Sequence, residues 1–225
     1  MAPLGYTLAD YNFDDFPLAP GVHAIWKKIP AIKRAYDEHP DAEWIMWLDL
    51  DVILMTAALP LSTNILAPSI LEERLLRNFT IPGHSIDRVT KEDMPAEDVN
   101  LIVTTDMNGV NAGVMIFRRT KWTEMLLDLW MDPLLIEKDF EGREQDALIH
   151  LMNHHDHIFD HVGVVDQRAI NAYGFDEDWG YQEGDLLVHF AGCWVQNMCE
   201  SQWEKYWAMR SPVPVMYLQG ERQFP

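Results

Sequence analysis

An α/β sandwich is the fold class this sequence predicts, and three observations predict it. Apolar runs of strand length alternate with segments whose apolar residues recur at helical spacing. The 225 residues are 48% apolar, enough for one sizeable domain to bury a core. Aspartates stand at the ends of strand-like runs, and in open α/β sheets ligands bind beyond the carboxyl ends of strands.

In residues 21–39, Ile25, Ile29, Ile32 and Tyr36 fall at helical spacing, with Pro30 marking a start or kink and Pro40-Asp41 ending the helix. Trp44 to Met55 is apolar and aromatic with an Asp pair in its second half, which suits a central strand running out into a loop. Residues 64–77 read as helical and 78–98 as a polar, proline-containing loop. A strand over 100–105 ends at Asp106, the turn-prone Asn108-Gly109 follows, and 110–117 reads as another strand. Helical spacing returns over 121–130 and 143–154, and short strands are expected at 161–165 and 185–190. The sheet is expected to be mixed and mainly parallel. No repeat or linker interrupts the pattern, so residues 1–225 read as a single domain.

Acidic residues outnumber basic ones 36 to 17, and the formal charge of −19 repels phosphate backbones and anionic lipid. Nucleic acid is not an expected partner; a divalent cation shared by clustered carboxylates is. The N-terminal stretch lacks the basic start and apolar h-region of a secretory signal, and no segment reaches the ~20 apolar residues of a membrane span. Cys193 and Cys199 are too few for a disulfide scaffold and lack zinc-knuckle spacing, but in an oxidising compartment they form one short loop disulfide. The sequon Asn78-Phe79-Thr80 fits a secretory-pathway lumen.

Asp49 and Asp51 lie two residues apart inside Glu43-Trp44-Ile45-Met46-Trp47-Leu48-Asp49-Leu50-Asp51-Val52-Ile53-Leu54-Met55. In a straight strand both project from one face, where two carboxylates repel unless a cation joins them. Magnesium or manganese takes such oxygen ligands and keeps positions open for phosphates. A bare D-x-D is more commonly an exposed acidic turn, but the apolar flanks argue against that here. His189, near the end of an apolar strand, is placed to complete a manganese site, although a lone histidine there is more often a core residue. His154, His155 and His157 read as a solvated helix end, not a zinc site. Asn108 to Gly113 combines residues that tolerate positive φ with small ones that admit a ligand, and a hairpin turn explains them equally well. The helix from Arg143 to Leu151 carries polar residues in its first turn, placed either to face a site or to cap the helix. Of the tryptophans, most are expected in the core and some as sugar-stacking platforms.

Together these segments resemble glycosyltransferase family 34, the fungal galactosyl- and mannosyltransferases related to plant xyloglucan xylosyltransferases. The resemblance runs in order along the chain: W-K-K-I-P-A-I at 26–32, D-A-E-W-I-M-W-L-D-L-D at 41–51, D-M-N-G-V-N-A-G at 106–113, E-Q-D-A-L at 144–148, Q-R-A-I-N-A-Y at 167–173 and H-F-A-G-C at 189–193. It implies a glycosyltransferase-A-type nucleotide-sugar-binding sandwich and a retaining, manganese-dependent transfer of galactose or mannose. The implied donor is UDP-galactose or GDP-mannose, and the acceptor a mannose-containing glycan. Carried over, Asp49, Asp51 and His189 are the metal ligands. Gln145 and Glu144 match the segment near the anomeric carbon, and Asn111, Ala112 and Gly113, with Asp49, line the donor. The sugar is expected to be attacked on the face the diphosphate leaves, with Glu144 as the alternative stabiliser or nucleophile. The family's type II membrane anchor and first strand precede the matched region, so the expectations include a Golgi lumen location and a sheet short of its first strand. Other glycosyltransferase subunits are expected partners, and a non-catalytic subunit of a glycan polymerase complex is the alternative role.

Overall fold

The computed structural model describes residues 5–83, 86–175 and 178–210. Helix α1 (Lys28–Glu38) follows a short 3-10 turn over Ala24–Lys27 and buries Ile29, Ile32 and Tyr36, the stripe that the spacing predicts. The Trp44–Met55 run does not form one central strand. It breaks into β1 (Trp44–Leu48) and β2 (Val52–Leu54), which belong to different sheets, and Leu50 between the two aspartates is 88% exposed. The predicted helix over 64–77 is shorter, a π turn over Ser62–Leu66 and then α2 (Pro68–Arg74), where Pro68 supplies a preset φ for the first turn.

β3 (Leu101–Asp106) and β4 (Gly109–Arg118) form a hairpin, and the chain then runs through α3 (Lys121–Trp130), α4 (Pro133–Glu137), α5 (Arg143–His154) and α6 (Asp156–Phe159). There follow β5 (Val162–Val164), α7 (Gln167–Ile170), β6 (Ala172–Tyr173), β7 (Leu187–His189) and α8 (Cys199–Met209). The first sheet has the order β1-β4-β3-β5 and the second β2-β7-β6. Both are mixed, as expected, but they are not mainly parallel. β1–β4, β3–β4 and β2–β7 are antiparallel, while β3–β5 and β6–β7 are parallel. The reason is local: β3 and β4 are joined through Met107 and Asn108 alone, a connection only antiparallel strands accept, and Gly109 takes the positive φ that closes it.

The first sheet is covered on both faces. Leu101, Val103 and Phe117 pack with Ile29 and Ile32 of α1, Leu126 and Trp130 of α3, and Leu148 and Met152 of α5. Ile102, Val114 and Ile116 face the other way, against Leu71 of α2 and Ile170 of α7. β4 changes face midway, since Val110 and Ala112 lie on the first side but Val114 and Ile116 on the second. A register shift against β3 marks the irregularity, with Ile102 opposite Ile116 but Thr104 opposite Asn111. Extra β4 residues are thus accommodated around Ala112 and Gly113, and bulges of this kind re-aim side chains beside functional sites. The second sheet packs Ile53, Val188 and Phe190 against Tyr206 of α8, whose first residue, Cys199, is joined to Cys193 by a disulfide. Among the described residues no helix is long and apolar enough to cross a membrane.

Candidate metal and catalytic site

The break between β1 and β2 turns the D-x-D run from a strand face into a corner. The Asp49 amide donates to Gly113 O of β4 (2.8 Å), which holds its backbone to the first sheet. Asp51 O accepts from Phe190 N (2.9 Å), which holds its backbone to the second sheet beside His189. One ligand atom each from Asp49, Asp51 and His189 lies within 4.8 Å of the others. His189 is 3% exposed and its Nε2 stands 3.3 Å from Asp51 Oδ1. Burial pushes the Asp51 carboxyl up, but the hydrogen bond and charge of His189 outweigh it and hold Asp51 below the usual carboxylate range. Two carboxylates and one imidazole facing a common point form a donor set that suits a divalent cation. Gly113 is required there for space: a Cβ on it would collide with His189 Cε1 and come within 2.9 Å of Nε2.

Lys28, the first residue of α1, is 2% exposed and points into this corner. Its Nζ meets Asp49 Oδ1 (3.2 Å), Glu144 Oε1 (2.9 Å) and Ala112 O (2.9 Å). Desolvation pulls the ammonium pKa down, yet the Asp49 and Glu144 carboxylates raise it above its ordinary value, so the residue stays cationic. Glu144 is equally buried; desolvation pushes its carboxyl up despite Lys28, and its Oε2 is a buried atom without a hydrogen-bond partner. Gln145 Oε1 accepts from Ala112 N (2.9 Å), so the Ala112 residue is gripped at its N–H by α5 and at its C=O by α1. Trp47 Nε1 donates to Asp49 Oδ1 (2.6 Å), fixing that carboxylate. α5 presents Glu144 and Gln145 from its first turn, which Asp146 closes by accepting from Gly142 N (2.8 Å).

The sequence-derived residues therefore converge: Asp49, Asp51 and His189 at the ligand point, Glu144 on Lys28, and Gln145 on Ala112. Asn111 lies behind them, 7% exposed, with its amide bonded to protein atoms on both sides. Asp106, at the end of β3, does not join the Asp49–Asp51 corner; it is 5% exposed and accepts from Asn108 N, Asn111 Nδ2 and the Tyr173 hydroxyl. Burial first, and then the Asp106 carboxylate, push the Tyr173 phenol far up, so it stays protonated. Sequence reading missed Lys28 as a site residue, although a signal was present. Lys28 sits three residues after Ile25 and four before Ile32, on the apolar stripe itself, where a charge without a buried partner is unexpected. It also assigned no role to Asn171 and Tyr173, although both lie in the Q-R-A-I-N-A-Y segment that carries part of the family resemblance. Trp122 and Trp130 are core residues, and Trp194, Trp203 and Trp207 are exposed.

The model of the galactosyl transferase GMA12/MNN10 family matches residues 4–200. The chain belongs to that family. Among its relatives, a probable alpha-1,2-galactosyltransferase of Schizosaccharomyces pombe, gmh2, is 35% identical over 90% of this chain and 62% of its own length. A second, uncharacterized alpha-1,2-galactosyltransferase of that yeast, C1289.13c, is 41% identical over 81% of this chain and 50% of its own. The probable alpha-1,6-mannosyltransferase MNN10 of Saccharomyces cerevisiae is 32% identical over 80% of this chain and 49% of its own. The chain thus spans about half to three fifths of the length of these family members. Among solved structures, a glycosyltransferase involved in glycosylation of the major capsid of PBCV-1 superposes with a TM-score of 0.55. It shares 16% identity, over 84% of this chain and 80% of that one, and the likeness is one of fold: a mixed α/β glycosyltransferase sandwich of the A type.

Proposed function

We propose that this chain is the donor-binding and catalytic region of a retaining, manganese-dependent hexosyltransferase that moves galactose from UDP-galactose to a mannose-containing glycan. The observation that carries the reading is the convergence of Asp49, Asp51 and His189 on one point, with cationic Lys28 and the unpartnered Glu144 Oε2 beside it. Galactose is favoured over mannose because the relatives named as galactosyltransferases reach 41% identity and the one named as a mannosyltransferase 32%. A divalent cation held by Asp49, Asp51 and His189 supplies Lewis-acid stabilisation of a diphosphate leaving group.

The protein's own groups do the rest. Lys28 adds a fixed, desolvated positive charge where negative charge develops, and it costs no reorganisation at the moment of reaction. Glu144 is paired with Lys28, and its free Oε2 is placed to meet a sugar hydroxyl or, as the carboxylate, to face a cationic sugar. The Lys28 and Gln145 bonds to Ala112 set the β4 bulge against which the sugar would rest. Location in the Golgi lumen is part of the proposal, supported by the Cys193–Cys199 disulfide and by the exposed position of Asn78 in its sequon.

Thermal unfolding with manganese and a panel of UDP-galactose, GDP-mannose and UDP-xylose tests this. A ligand that binds only the folded state at a hundredfold excess over its Kd stabilises it by about 2.7 kcal/mol. The expected result is a manganese-dependent rise with UDP-galactose that Asp51→Ala removes while leaving the ligand-free transition near wild type. A chain that melts cooperatively and responds to none of these ligands overturns the reading.

A further inference from the structure

We infer that Asn171 is a positioning residue that locks His189 in its Nδ1–H form and so keeps the Nε2 lone pair turned toward the Asp49–Asp51 corner. The inference rests on the metal reading above for its purpose, but not for its geometry.

The argument follows hydrogen-bond polarity through a buried network. Gly113 N is a backbone donor, and it reaches Asn111 Oδ1 at 2.9 Å. At the other end of that amide, Asn111 Nδ2 reaches Asp106 Oδ2 (3.3 Å) and the Tyr173 oxygen (2.9 Å), and Asp106 Oδ1 itself accepts from Asn108 N (2.7 Å). Flipping Asn111 would set its NH2 against the Gly113 N–H and its carbonyl against a carboxylate, so its orientation is fixed from both sides. With Asn111 Oδ1 known to be an acceptor, the atom of Asn171 that lies 3.0 Å from it must be the donor Nδ2, which also donates to Thr104 Oγ1 (2.9 Å).

Asn171 Oδ1 is thereby left facing His189 Nδ1 at 2.8 Å. A carbonyl oxygen has no proton to give, so Nδ1 carries it. Nε2, 3.3 Å from Asp51 Oδ1, is then the nitrogen that carries or lacks the second proton: the cationic ring donates it to Asp51, and the neutral ring offers that point a lone pair. Asn171 is fully buried, and its main chain is held by Gln167, whose Nε2 donates to Asn171 O at 2.9 Å. The chain of assignments thus begins at two backbone amides, Gly113 N and Asn108 N, and ends at the tautomer of a ligand. Partners that fix a ligating histidine in this way are typically worth about 10–100-fold in metal affinity.

The test uses the full chain with 15N-labelled histidine, metal-free and in alkaline buffer, where imidazoles are ordinarily neutral. Long-range proton–nitrogen spectra of the ring, assigned with His189→Gln, read the tautomer directly. Wild type is expected to show a protonated Nδ1 and a bare Nε2 for His189. Asn171→Asp gives up the Nδ2 bonds to Asn111 and Thr104 but keeps an acceptor at Nδ1, so it is expected to keep that pattern, whereas Asn171→Leu is expected to lose it and to bind Mn2+ alone about 10–100-fold more weakly by calorimetric titration. An Nε2–H tautomer in wild type overturns the inference, as does an Asn171→Leu chain with an unchanged ring and unchanged Mn2+ affinity. If Asn171→Leu does not fold, the wild-type and Asn171→Asp spectra decide. A wild-type chain with the Nδ1–H form that takes up no Mn2+ supports the positioning and overturns the metal reading instead.

Discussion

Lys28→Met removes the charged hub of the site while keeping most of its side-chain volume. In the folded protein Nζ is the partner of a carboxylate that is 2% exposed, and Glu144 Oε2 already lacks a hydrogen bond. Without Lys28 both Glu144 oxygens are buried with nothing to satisfy them, the situation in which removing one partner of a buried pair costs about 3–5 kcal/mol. In a chain of 225 residues that corresponds to a fall in Tm of about 6–20 °C, at about 2–4 °C per kcal/mol. The loss depends on pH, and its sign is fixed. Desolvation already raises the Glu144 pKa, and losing Lys28 raises it further, so the folded variant holds that proton more tightly than the unfolded chain. Acid therefore relieves the variant, and urea unfolding near pH 5 and near pH 8 should show the smaller deficit at the lower value. Lys28→Met/Glu144→Gln, which buries no lone charge, should recover to within about 1–2 kcal/mol of wild type. A single variant that loses under about 1 kcal/mol, or loses the same at both pH values, would show that the Lys28–Glu144 pair is not the desolvated contact described above.

Gly113→Ala places a methyl group against the His189 ring; the expected cost is about 1–3 kcal/mol, with loss of the thermal shift induced by Mn2+, and a retained shift would mean His189 is not held there. Replacing Cys193 and Cys199 by serine opens a loop with a sequence separation of 6, for which chain entropy gives about 2 kcal/mol and a Tm lower by about 4–8 °C in a reducing-agent-free melt. An unchanged melt would place that loop's order in the packing of Cys193 and Tyr206 rather than in the bridge.

How much of this was legible in the sequence depended on how local each feature is. β3, β4, α3 and α5 follow from apolar periodicity within one segment, and their bounds fall close to the expected ones. The convergence of Asp49, Asp51 and His189 was legible because these residues are chemically conspicuous in apolar surroundings and because ordered motifs matched a known family. The second sheet was harder: β7 falls within the strand expected at 185–190, but β2 and β6 are only three and two residues long, too short for a period to register. The break at Asp49–Asp51 was hidden by uniformly apolar flanks, and the sheet's mixed pairing was set by a two-residue turn rather than by strand composition. Lys28 and Asn171 were missed because the role of a charge in a helix, or of an amide beside a short strand, is decided by its neighbours in space. Ala112 O and Glu144 come to Lys28 from 84 and 116 residues away, and Thr104 comes to Asn171 from 67.

The corner between β1 and β2 also has a mechanical meaning. Asp49 is anchored to one sheet through Gly113 O, and Asp51 with His189 to the other through the Phe190 amide, so the three ligand atoms straddle the seam where the two sheets meet. Whatever occupies that point adds a cross-link to those the sheets already share: the chain crossing at Leu50, the α7 connection from β5 to β6, and the Asn171–Thr104 and Asn111–Tyr173 hydrogen bonds. Protection of backbone amides against hydrogen exchange should therefore rise on both sides of the seam together when the point is filled, because opening either sheet then requires releasing the other. A donor substrate that keeps the cation in place would act as a removable brace. Product departure would then coincide with a loosening of the seam, while the shared core and the Asn111–Asn171 network keep the two sheets together.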